Sequence, residues 1–114
     1  MTQSLSLTVD LGTEPGIKTV TALRDQLMTA IAQSADVVIR GDQVTRIDIS
    51  ALQVLAAAHQ SATAAGCRIR LEAPLDGALQ LALKRTGLVS AEGRPQTREG
   101  DFWILSTAAK DEAA

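Results

Sequence analysis

The stretch VTRIDISALQVLAAAHQSATAAG, residues 44–66, decides the fold. It reads as the end of a buried strand, a polar turn at Asp48 to Ser50, and a helix closed by a glycine. Ile47 and Ile49 flank a carboxylate, and β-branched residues at alternating positions suit a strand end. Ser50 stands where the first backbone N–H groups of a helix need an acceptor, with Asp48 near enough to compete for that role. Leu52, Leu55, Ala56, His59 and Ala62 or Thr63 recur at three- and four-residue steps and so share one helical face. Gly66 suits a left-handed C-terminal cap. A helix start carrying a serine at a sheet edge is a place where phosphate or a partner's anionic group can bind.

Upstream, Leu5, Leu7, Val9 and Leu11 alternate with Ser6, Thr8 and Asp10, the period-2 pattern of a half-buried strand. A turn over Gly12 to Gly16 follows. Ile17, Val20, Leu23, Leu27, Ala30, Ile31 and Ser34 then trace one face of an amphipathic helix. Val37, Val38 and Ile39 form an unbroken apolar run, as in a strand covered on both faces. Downstream of Gly66, Cys67, Ile69 and Leu71 alternate with Arg68, Arg70 and Glu72, so another strand is expected. Pro74 to Gly77 opens a third helix with Leu75, Ala78, Leu79, Ala82 and Leu83 on its apolar face, ended by Gly87. Residues 90–100 are rich in Gly, Pro and charge and read as a loop. Phe102 to Leu105 is a short apolar cluster, either a strand pairing at an edge or a short helix. Residues 107–114 read as a frayed tail behind a single domain spanning 1–106.

Strand and helix alternate, which predicts an α/β domain: a mixed, mostly parallel four-stranded sheet packed against about three helices. In such sheets, ligands and partners meet the strand ends and the helix starts that follow.

Composition narrows the function. With 114 residues the chain can bury a core without disulfides or metals, and its 2% aromatic content makes that core aliphatic. The net charge of −2 comes from mixed acidic and basic residues, so there is no basic stripe for nucleic acid and almost no platform for base stacking. The single cysteine, Cys67, excludes an internal disulfide and a cysteine-based zinc set. Its place at a strand start suits a core filler. No window approaches the ~18 apolar residues of a membrane span. A cytoplasmic protein with no direct membrane insertion is the economical expectation.

The order Asp48-x-Ser50-x-Leu52, an Ala-rich helix, Gly66, a short strand, Pro74 and a helix ending Gly87-Leu88 resembles the STAS domain family. That family includes anti-sigma-factor antagonists, the cytoplasmic tails of sulfate transporters and a small subunit of a bacterial lipid-transport complex. The resemblance runs from about Leu5 to Val89 and is carried by Arg46 to Leu55, Ala58 to Ala62 and Gly87-Leu88. It looks closest to single-domain members of bacterial signalling and chemotaxis circuits. In the family the residue after the aspartate is commonly a Ser or Thr that a partner kinase phosphorylates. Here that position holds Ile49, which cannot accept phosphate; Ser50 takes the next one, and Ala51 stands where glycine is common. The family also often has a further strand before the first helix, where this chain offers only Leu5 to Leu11.

The resemblance implies a module that binds a kinase-like anti-sigma factor or a chemotaxis-associated partner. The expected surface is Asp48, Ile49, Ser50, Ala51, Gln53 and Val54, with Ser50 the candidate for phosphorylation. A phosphate there would add ~1.5–2 negative charges beside Asp48. The alternative is a constitutive adaptor in an ABC-type lipid or anion transport complex, using the same surface unmodified. An enzyme is disfavoured. His59 is the sole histidine, and no Ser–His–carboxylate set, metal cluster or Gly-rich phosphate loop can be assembled around it. No cofactor and no metal are expected. Arg46, Asp48 and Arg70 are candidates for an ion-pair cluster. Trp103 with Phe102 is either a lid over the sheet edge or an exposed docking patch.

Overall fold

The structure, a computed structural model, describes residues 6–92, 94–97 and 100–105. Its elements run β1 (Ser6–Asp10), α1 (Val20–Gln33), β2 (Asp36–Arg40), α2 (Ile49–Ala65), β3 (Arg68–Glu72), α3 (Ala78–Arg85) and a 3-10 turn, η1 (Gly100–Trp103). The sheet has the order β1-β2-β3 and every pairing is parallel. Leu7, Val37 and Ile69 stand level across it, as do Val9, Ile39 and Leu71.

These two rows point into one hydrophobic core with Leu23, Leu27 and Ile31 of α1 and Leu52, Leu55 and Ala58 of α2. Alternation sends Thr8, Val38 and Arg70 to the opposite face, where Thr8 and Arg70 are exposed while Val38 is buried in the sheet's centre. Each fully buried Leu or Ile stabilises the fold by about 1.5–3 kcal/mol relative to exposure, so the aliphatic rows and not the ion pairs hold the layers together. The ion pairs Arg40–Asp42 and Arg70–Glu72 each join residues two apart in the chain, the first at the surface and the second with Glu72 half-buried.

The sheet departs from the expected four strands. Phe102 and Trp103 are adjacent and both buried, whereas a strand would send one of them to the open face. A 3-10 turn packed against β3 buries both, with Trp103 Nε1 donating to Thr97 Oγ1 at 2.8 Å. The short-helix reading holds, and Trp103, fully buried, is a lid.

Two helix starts and one expected strand end also shift. Ile17 does not join α1: Gly16 N donates to Thr19 Oγ1 and Thr19 N to Gly16 O, a tight turn that delays the helix to Val20 and leaves Ile17 74% exposed. Leu75 likewise lies in the turn closed by Gly77 N on Pro74 O, outside α3 and in solvent. Residues 44–47 are a loop and not a strand end: the Thr45 and Arg46 N–H groups bond to Thr13 O of the β1–α1 loop, and Val44 N to Gly41 O. Gly66 behaves as expected, capping α2 at φ +74°. Leu5, the residues before it and the expected frayed tail lie outside the described residues.

Candidate docking site

The β1–α1 and β2–α2 loops meet at the carboxyl end of the sheet. Thr45 N donates to Thr13 O at 2.8 Å, Arg46 N to the same carbonyl at 3.3 Å, and Asp48 N to Pro15 O at 3.1 Å. Thr45 Oγ1 adds a bond to Thr13 O. These bonds fasten Asp48 against Gly16, where a Cβ would stand only 2.9 Å from Asp48 Oδ2. A side chain at position 16 would make the Asp48 carboxylate turn aside.

Asp48, not Ser50, is the N-cap of α2, and its side chain makes no capping hydrogen bond. The helix begins at Ile49 and its first turn closes through Ala51 N and Leu52 N on Asp48 O. Ser50 is therefore the second helical residue. Its Oγ is shut off from solvent and has no hydrogen-bond partner. The expectation that Ser50 caps the helix is corrected: the cap is Asp48, at the start of the expected Asp48 to Ser50 turn and two residues before the serine.

The remaining expected site residues divide by burial. Asp48, Ile49 and Gln53 are exposed, Val54 is half-buried, and Ala51 is fully buried and offers no surface to a partner. Ile49 is 57% exposed, and Ile17 lines a cleft of about 280 Å³ with Asp48, Arg46 and Lys18. Two large aliphatic side chains thus stand in water, each the chain neighbour of one member of the Asp48–Gly16 contact. Sequence reasoning missed Ile17 by assigning it to the α1 core face. The signal against that was present in Gly16 ahead of it and in Thr19, a residue type suited to a helix start. Arg46 shares the cleft with Asp48, whereas Arg70 pairs with Glu72 on β3, so the expected three-member ion cluster does not form.

A family model described as "Mlab, STAS domain" matches residues 2–89. The chain belongs to the STAS domain family. No curated protein sequence matches it. The fold is similar to a solved structure of the anti-sigma factor antagonist SpoIIAA in its unphosphorylated form. The TM-score is 0.66 at 18% identity, over 99% of this chain and 88% of that one. STAS domains are regulatory and non-enzymatic in kind, and this one has a second polar cleft. His59, Cys67, Asp36 and Asp101 line it together, a grouping that looks catalytic on residue types alone. His59, however, stacks on Phe102 at 4.8 Å between ring centroids. The Cys67 thiol is pushed up by burial, and further by the nearby Asp36 carboxylate, the opposite of an activated nucleophile. Among the described residues no His, Cys, Asp and Glu group could hold a metal, and no helix is long and apolar enough to cross a membrane.

Proposed function

We propose that this STAS domain is a non-enzymatic bacterial signalling module that docks a kinase-like anti-sigma factor or chemotaxis-associated protein. The docking surface is Asp48 and Ile49, continued by Gln53 and Val54 along α2 and by Ile17 across the cleft. The observation that carries this reading is the exposure of Ile17 and Ile49, each the chain neighbour of a residue in the Asp48–Gly16 contact, where the β2–α2 loop is fastened by three backbone bonds to the β1–α1 loop. Exposed aliphatic groups on a rigid rim gain free energy only when another surface covers them.

Phosphorylation of Ser50 would switch such a surface by placing charge beside Asp48. A second reading, a constitutive adaptor subunit of an ABC-type transport complex, is favoured by one specific observation. Ile49 fills the exposed first position of α2, and the Ser50 hydroxyl beneath it is sealed, so a kinase would need the first turn to open.

Affinity capture from the native host separates the readings. A histidine-kinase-like protein retained by the wild type supports the first, and a membrane complex the second. In either case Ile49→Asp is expected to reduce capture at least tenfold with its melting temperature unchanged. Undiminished capture by Ile49→Asp sinks the docking surface. Mass spectrometry after incubation with the captured kinase and ATP tests the switch, and an unmodified Ser50 removes it.

A further inference from the structure

The two edges of the sheet are treated differently. β3 has η1 packed beside it, whereas among the described residues no strand pairs with the outer edge of β1. That edge borders a groove of about 570 Å³ between β1 and α1, floored by Leu7 and Val9 and flanked by Asp25, Gln26 and Thr29. We infer that the outer edge of β1 pairs with a second copy of this chain, two protomers joining β1 to β1 antiparallel about a two-fold axis at Thr8.

The register follows from backbone directions. Leu11 N donates to Arg40 O at 2.9 Å, so residue 11 and, by alternation, residues 9 and 7 direct their backbone groups at β2. Residues 6, 8 and 10 then direct theirs outward. An antiparallel copy centred on Thr8 sets Thr8 opposite Thr8, and Ser6 opposite Asp10, as hydrogen-bonded pairs. That satisfies all the outward groups of both strands with about six bonds. Leu7 falls opposite Val9 of the copy on the helix side, extending the aliphatic row into the groove. A register shifted by one residue would oppose outward groups to inward ones and lose this match.

Charge permits the approach. Asp10 lies opposite a serine position and not its own copy, and Gly12 N already holds its carboxylate. The flanking strip of α1 carries one charge, Asp25, among Gln26, Thr29 and Gln33. β1, five residues long with Asp10 its one charged side chain, has no Lys, no Pro and no positive-φ residue, three of the devices that keep an edge from pairing.

Sedimentation equilibrium of the full chain over a concentration series tests the inference. The expected result is a monomer–dimer equilibrium, and a mass that stays at one protomer up to about millimolar protein overturns it. Thr8 is exposed, so Thr8→Lys and Thr8→Glu leave the protomer folded while opposing like charges at the axis. Each variant alone is expected to raise the dimer dissociation constant at least tenfold, and an equimolar mixture to restore it. Dimers unaffected by either variant, or a mixture that stays monomeric, place the contact elsewhere and overturn the register. Amide exchange supplies a readout without substitution. Protection at Thr8 and Asp10 should rise with protein concentration while that at Leu7 and Val9 stays constant, and a uniform response contradicts the alternation.

Discussion

Single side chains set the chemistry of this domain mostly by being withheld from solvent. Cys67 sits in the core at the start of β3, its Sγ donating weakly to Arg68 O at 3.4 Å, and burial raises its pKa. The sign follows. An unfolded thiol titrates near about 8.5, so above that pH the unfolded chain loses a proton that the folded chain retains. The contribution is intact below about pH 8.5 and declines as pH rises towards the folded value. Urea midpoints should therefore fall between about pH 7 and pH 10 more for the wild type than for Cys67→Ala. A disulfide reagent should label Cys67 slowly in the native protein and rapidly in urea. Rapid native labelling would show that the thiol is accessible and the raised pKa without consequence.

At the scale of elements, the question is where each helix begins and ends. The end of α2 is set by Gly66 at φ +74°, whose missing Cβ would meet nothing within 4 Å. The cost of Gly66→Ala is thus purely conformational, about 1 kcal/mol, read as a lowered urea midpoint with an unchanged m-value. This cap was legible from the sequence because it depends only on the local backbone. So were the strands at Val9 and at Ile69 to Leu71, since period-2 alternation records which face is covered. The helix starts were less legible. The beginning of α2 is fixed by Thr45, Arg46 and Asp48 bonding to carbonyls some thirty residues earlier, a constraint that no local pattern carries. In the same way Ile17 and Leu75 match a helical spacing yet lie in turns, because Thr19 and Gly77 close those turns first. Within the expected surface, the Ser50 hydroxyl is covered, against its reading as an exposed cap, while Ile49 is displayed as a member of that surface must be.

For the molecule as a whole, stability is concentrated where the aliphatic core meets its two aromatics. Trp103 is fully buried, tilted against Phe102 at 5.0 Å between ring centroids, and Phe102 in turn stacks on His59 of α2. The carboxyl-terminal turn is thereby tied to both β3 and the central helix. Trp103→Ala is expected to cost about 3–5 kcal/mol, a large share of the roughly 5–15 kcal/mol that holds an ordinary domain folded. Acrylamide should quench native Trp103 fluorescence weakly. Strong quenching, or a variant that melts like the wild type, would mean that this segment does not close the core. Sequence alone left this segment open between strand and helix because four residues are too few to show a period.

The uniform direction of the three strands has one more outcome. All the loops that form the rim around Asp48 leave the sheet at the same end, so each protomer has a heading, like an arrow. Two arrows laid side by side in opposite senses along β1 present their heads at opposite poles. If the rim docks a client as proposed and the inferred pair forms, the pair would be a bivalent connector with one client at each pole, and its apparent grip on a clustered array of clients would exceed that of either head alone.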